Sequence, residues 1–491
     1  MMRRREFVAG ATVAALPWRS LAGLSAADLT DGNLHFAPIA TLKQALATRR
    51  ISSLEMVNLF LKRIDLVNPR LNAMVAFRTD QARDDARRSD QDLARGKNHG
   101  PLHGIPFSIK DSIDTAGVVS TAGTIGWAKR IPERDATLVA RLRAAGGILL
   151  GKTNTPEFTW SDETDNAVYG VTRNPYDLTR TPGGSSGGPV ALVATGGTPF
   201  DIGSDTGNSI RMPSHNCGVA GIKPTHGRVP KTGHAISYRG IIQSWTQLGP
   251  IARYVDDLAF LLPIVSGPDD EDPYGMPVVL RDSSRVAARG LRVIYFTDNG
   301  VKHPTPETKT AVTAAAKALG AAGAHVEERF WPELNRANEL WHLIAGADGG
   351  AWLKRLLRAA ETPGDGTAGP WFADSKPVSS DQLGAWVEDL DQVRGQLRRL
   401  MAPVDLIVCP VMAMPAVTLG GSNAVGYADT YNEPHNITGW PVTVVRAGTS
   451  PEGLPIGVQL VAPAWREDLS LAAARIVEKA LGGWKPAPLF S

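Results

Sequence analysis

The chain has 491 residues, 43% of them hydrophobic and 21% charged, with 50 Gly and 35 Pro; this is the balance of a soluble globular protein rich in turns, and it excludes fibrous and disordered classes. The formal net charge of +3 is accounted for by the N-terminal segment, where Arg3, Arg4, Arg5 and Arg19 stand against Glu6. The remainder is therefore neutral and offers no basic stripe to a nucleic acid. Two cysteines, Cys217 and Cys409, lie in no metal-ligand or redox spacing, which excludes a disulfide scaffold and argues against a structural zinc.

In chain order, residues 1–27 read as a twin-arginine signal: Arg3-Arg4-Arg5 leads into the apolar run Phe7 to Pro17, and Ser25-Ala26-Ala27 supplies small residues for cleavage. The expectation is a bacterial protein exported to the periplasm, with residues 28–491 forming one large domain. No later stretch reaches the length of a transmembrane helix. Ser52 and Glu55 resemble a capping box, and Leu54, Val57, Leu61 and Ile64 recur at helical spacing, so a helix is expected over 53–67, stopped by Asn68-Pro69. A polar helix follows through Asp80 to Arg95, and then a strand ending at Lys110-Asp111.

The helix carrying Leu138, Leu142 and Ala145 is closed by Gly146-Gly147 and gives way to a strand at Ile148 to Leu150. Further strands are expected at Leu291 to Phe296, Leu406 to Val408 and Ile456 to Val461, with a last helix from Asp468 to Leu481. This alternation is the α/β pattern. Residues 330–400 hold five of the 12 tryptophans, Trp331, Trp341, Trp352, Trp371 and Trp386; they form either an insertion that walls a substrate pocket or ordinary helix packing.

Three motifs compete to carry the chemistry. Gly146 to Thr153 matches the P-loop expression, but a helix precedes its first Gly and Ile148-Leu149-Leu150 reads as strand, where a phosphate cradle needs a flexible loop opening a helix. Ser185 and Ser186 each satisfy G-x-S-x-G, with His435 available as the base of a Ser-His-Asp esterase. However, Arg180-Thr181-Pro182 stands where a nucleophile elbow needs an apolar strand.

The third is a long Gly/Ser-rich block. It runs through Gly183-Gly184-Ser185-Ser186-Gly187-Gly188, then Gly203-Ser204-Asp205-Thr206-Gly207-Asn208-Ser209-Ile210-Arg211, then Gly218 to Thr225. Together with Gly104 to Asp111, Gly151 to Glu157, Asn436 to Pro441 and Gly453 to Leu460, this block resembles the signature of the amidase signature family, with its core over about residues 100–260.

The resemblance implies a single α/β/α domain with a mixed, largely parallel twisted sheet, and hydrolysis of a carboxamide C–N bond without metal or cofactor. It implies Ser209 as nucleophile, Ser185 as proton bridge and Lys110 as general base, with Thr206, Gly207, Asn208 and Ser209 supplying the oxyanion hole. Ser186, Asp205 and Arg211 are supporting residues, the last two as an ion pair shaping the loop. Lys110 must then be neutral when it accepts a proton, which burial has to bring about. Where the family pattern has Gly, this chain has Asn208, a residue that tolerates positive φ and whose amide narrows the acyl pocket or donates to substrate.

The implied substrate is a linear or aryl amide, a carbamate or an oligoamide, with no nucleic-acid partner and with a homodimer left open. Two other readings stand beside this one. The first is an amidotransferase-type component that hydrolyses glutamine or another small amide for a partner, and the second is a non-catalytic binding protein on the same fold.

Overall fold

The computed structural model describes residues 34–236, 241–368, 375–422 and 431–491; the segment 1–27 read above as a signal and Trp371 lie outside them. Residues 35–491 form one compact unit. Its first long helix, Ser53–Leu71, starts where Ser52 Oγ accepts from Glu55 N at 3.1 Å and Glu55 Oε2 accepts from Ser52 N at 2.8 Å. It does not stop at Asn68-Pro69. Pro69 sits in the last turn, and the exit comes at Asn72, which takes the left-handed conformation while Asn68 Oδ1 accepts from Ala73 N and Met74 N.

Strands β1 (Met74–Phe77), β2 (Pro106–Lys110) and β3 (Ile148–Thr153) make a small sheet in the order β1-β3-β2, with β2 and β3 parallel. The large sheet holds β4 (Phe200–Asp205), β5 (Ala220–Lys223), β6 (Gln247–Ala252), β7 (Arg292–Tyr295), β8 (His325–Glu328), β9 (Leu406–Pro410), β10 (Val442–Thr449) and β11 (Pro455–Val461). Their order is β4-β6-β5-β10-β11-β9-β7-β8. The sheet is mixed, but parallel pairing is confined to β7 with its neighbours β8 and β9, a smaller share than expected. The pairs from β4 across to β9 are antiparallel. One reason is local: β10 and β11 are joined by a turn in which Ser450 N donates to Leu454 O, and a turn this short returns the chain antiparallel.

The helix Gly187–Ala194, Gly-Gly-Pro-Val-Ala-Leu-Val-Ala, is apolar on every side and buried on every side. It packs against β2, β3 and β4 and so sits behind the junction of the two sheets. Residues 330–400 fold as the helices Glu333–Ala345, Ala351–Ala359 and Ser380–Met401, apart from connecting segments. Trp331, Trp341 and Trp352 are buried in one apolar cluster, and Trp386 packs partly buried against it. Ring stacking ties this segment to the rest of the chain: Trp341 lies parallel to Trp160 at 6.2 Å, and Trp352 meets Trp160 edge-on at 5.2 Å.

Candidate active site

Three elements converge where the two sheets meet. β2 ends in Lys110, the loop before helix Gly187–Ala194 brings Ser185 and Ser186, and β4 runs into the loop Thr206 to Ser209 ahead of the helix Arg211–Cys217. The Gly184–Ser185 peptide is cis. Gly184 has to be glycine, because a Cβ there would run into Ser161 O.

Lys110 is fully buried, and its Nζ lies 2.6 Å from Ser185 Oγ and 3.0 Å from both Ser186 Oγ and Ser204 Oγ. All three partners are neutral hydroxyls. Burial drives the Lys110 ammonium well below the ordinary lysine range, against the opposing pull of Asp205 and Asp201. Asp111, next in sequence, turns the other way and accepts from Thr121 N at 3.0 Å and Thr121 Oγ1 at 2.5 Å. Strand alternation separates the two charges, as the position of Lys110 on a strand implies.

Ser209 is 8% exposed and opens on a cleft lined by Trp160, Asp162, Thr206, Asn208, Trp341 and Glu433, among others. Its hydroxyl lies 3.4 Å from Asn208 Oδ1, while Ser186 N donates to its carbonyl at 3.2 Å. Among the described residues no hydrogen bond joins Ser209 Oγ to Ser185 Oγ. Relays of this kind are often long or misaligned before substrate binds.

Among the described residues no acceptor takes the backbone N–H groups of Gly207, Asn208 and Ser209, which leaves them for an oxyanion. The carbonyls of this loop are held instead: Trp341 Nε1 donates to Thr206 O at 3.2 Å, Arg211 Nη2 to Gly207 O at 2.6 Å, and Met212 N to Asn208 O at 2.8 Å. Asp205 and Arg211 form a fully buried, two-pronged pair at 2.8 and 3.0 Å. Burial alone would raise the Asp205 carboxyl, but the Arg211 charge and the hydrogen bonds of Arg211 and Asn436 bring it down to about 2. Ile210 N also donates to it at 3.0 Å.

Asn208 does not adopt positive φ, so its tolerance of the left-handed region is not what admits it here. Its side chain instead reaches across the cleft, where Nδ2 donates to Asp162 Oδ1 at 3.0 Å. The competing motifs resolve structurally. Lys152 is buried on β3 with its Nζ on Ile113 O and Thr115 Oγ1, so no phosphate cradle exists there. His435 is buried and stacked on Trp440, with no hydrogen bond to Ser185 or Ser186. His215 ties its helix to β11, accepting from Gly457 N at 2.9 Å.

Sequence reasoning named Trp341 only as one of five tryptophans in a segment that either walls a pocket or packs helices, and it missed Ser204, Asp162 and Glu433. Ser204 was within reach, since it lies in the same motif one residue before Asp205. The others come from segments whose approach to the loop no local pattern marks.

The profile of the Amidase family matches residues 55–471. The chain is 34% identical over 477 residues to a glutamyl-tRNA(Gln) amidotransferase subunit from Synechococcus sp. (strain CC9605), covering 90% of this chain and 96% of that protein. It superposes with a TM-score of 0.84 on 6-aminohexanoate cyclic dimer hydrolase complexed with substrate, at 28% identity and covering 93% of this chain and 100% of that one. A bacterial aryl acylamidase of the amidase signature family superposes with a TM-score of 0.80 at 26% identity, covering 91% and 96%. Matched along most of its length and built on the same α/β fold, the chain belongs to the amidase family and is an amidase signature hydrolase.

Proposed function

We propose that the chain is an amidohydrolase that cleaves a carboxamide C–N bond through an acyl-enzyme on Ser209. The observation that carries this reading is the set of three hydroxyls around Lys110. A neutral amine has two N–H donors and one lone pair. Ser186 Oγ and Ser204 Oγ, each at 3.0 Å, suit the donors, and Ser185 Oγ at 2.6 Å suits the lone pair.

In this reading Ser185 gives its proton to Lys110 and takes that of Ser209, whose Oγ attacks the amide carbonyl. The oxyanion is met by the N–H groups of the Thr206 to Ser209 loop. Collapse breaks the C–N bond as Ser185 passes a proton to the nitrogen and recovers one from Lys110. A water molecule then repeats the relay on the ester and frees the acid and Ser209. The cleft walled by Trp160 and Trp341 suits an apolar acyl or aryl portion, so aryl amides come first, with carbamates and oligoamides next.

A mass-resolved hydrolysis screen of aryl amides, fatty amides and carbamates tests the reading, with Ser209→Ala as the blank. At least one amide should be turned over by the wild type only. Equal behaviour of the two proteins on every substrate would overturn it.

A second reading is favoured by one observation, the near full-length similarity to a protein of an amidotransferase. Under it the chain hydrolyses glutamine or a related small amide for a partner. Turnover of simple amides by the isolated chain supports the first reading. Glutamine hydrolysis that emerges only when partner proteins are added supports the second.

A further inference from the structure

We propose that Asp201 is a positioning residue for Lys110, holding β2 in register against β4, the strand that leads into the Ser209 loop, across the seam between the two sheets. The inference rests on the reading of Lys110 as the base. β2 and β4 lie side by side but belong to different sheets, so no backbone ladder fixes one against the other. Side chains bridge the gap instead. Asp201 Oδ2, on β4, accepts from Ser108 Oγ of β2 at 2.5 Å and from Thr153 Oγ1 of β3 at 3.0 Å. Ser108 shares a face of β2 with Lys110, two residues on, and Lys110 itself reaches Ser204 Oγ of β4 at 3.0 Å.

A carboxyl is a costly choice for such a staple. Asp201 is fully buried, and its Oδ1 has no hydrogen-bond partner among the described residues. Burial pushes its acid group up to about 7, against the hydrogen bonds from Ser108 and Thr153 and the charge of Lys152. When ionised it favours the ammonium form of Lys110, so it also bears on the pH at which the base is available.

The charged groups around this seam are Lys110 at the end of β2 with Asp111 just after it, Lys152 on β3 and Asp205 on β4, with His234 facing Lys110 from its turn. The helix Gly187–Ala194 and β6, which also pack on β4, carry no titratable side chain.

The test needs no knowledge of the substrate: the rate at which a fluorophosphonate labels Ser209 is followed by peptide mass spectrometry from pH 5 to 10. Asp201→Asn keeps an acceptor for both hydroxyls and removes the charge. Its acidic limb should move to lower pH by about half a unit or more, with the plateau rate within about threefold of wild type. Ser108→Ala keeps the carboxyl and removes one tether, and loss of that hydrogen bond lets the Asp201 acid group rise further. Its limb should move no further than that of Asp201→Asn while the plateau rate falls more than about threefold.

An unmoved limb in Asp201→Asn, or an undiminished plateau in Ser108→Ala, overturns the proposal. Labelling that survives Ser209→Ala, or a wild type that is not labelled at all, counts instead against Ser209 as the nucleophile.

Discussion

Lys110 Nζ lies 2.6 Å from Ser185 Oγ in a fully buried site where its hydrogen-bond partners are all neutral hydroxyls. A lysine so placed is worth more as a base than as a charge, because the pull of Asp205 and Asp201 falls short of the desolvation of an ammonium. Burial holds its pKa below the unfolded value. The neutral form is thus favoured by folding, and stability from this group is lost as pH falls below the unfolded value near 10.5. Lys110→Met should therefore raise the melting temperature at pH 7, by at least about 2 °C, while lowering amidase activity at least about 10³-fold. Differential scanning calorimetry at pH 7 and pH 10 checks the sign, since the stabilisation should shrink at the higher pH.

Arg211 is expected to matter for stability before it matters for chemistry. Arg211→Met leaves Asp205 buried without its cation and releases Gly207 O. Breaking a buried pair in this way costs about 3–5 kcal/mol, measurable as a lower urea midpoint. Asp205 has its pKa depressed to about 2, so its contribution is present above the unfolded value of 3.8 and fades as pH falls toward 2. The gap between variant and wild type should narrow over that range.

Asn208 spans the cleft to Asp162 at 3.0 Å, directly beside Ser209. Asn208→Gly removes the span. The ratio of kcat/KM for a branched acyl anilide to that for the acetyl anilide should rise about tenfold or more, the scale on which pocket size discriminates. An unchanged ratio would show that Asn208 does not bound the acyl side.

Trp341 serves the site twice, as a wall of the cleft and as donor to Thr206 O at 3.2 Å. Trp341→Phe keeps an aromatic wall and loses the hydrogen bond to Thr206 O that ties down the Thr206–Ser209 loop. The expected result is a kcat lowered several-fold with KM changed less than about twofold, read from steady-state kinetics. A raised KM at constant kcat would assign Trp341 to substrate binding alone.

How much of this was legible in the sequence follows from which interactions are local. The capping box at Ser52 and Glu55, the strand ending at Lys110 and the Asp205–Arg211 pairing all lie within short segments whose patterns name their partners. The seam held by Asp201 joins residues 93 positions apart, and the contact of Trp341 with Thr206 joins residues 135 apart. No periodicity encodes such distances, and the same holds for the order of the sheet, where β4 lies beside β6 and β10 beside β5. Pro69 misled for a different reason. A proline forbids one hydrogen bond, and in a last turn that loss is tolerable when Asn68 and Asn72 organise the exit.

Export by a twin-arginine route remains the reading proposed for residues 1–27. Replacing Arg4 and Arg5 together by Lys should retain the protein in the cytoplasm, as cell fractionation would show. Unchanged export would remove that reading and leave the catalytic one untouched.

The most direct measurement is to locate the acyl group during turnover, by rapid acid quench of the enzyme with an aryl amide followed by peptide mass spectrometry. The expected result is the substrate's acyl mass on the peptide carrying Ser209, absent in Ser209→Ala and sharply reduced in Lys110→Met. An acyl group on the peptide carrying Ser185 and Ser186, or undiminished acylation of Ser209 without Lys110, would contradict the relay.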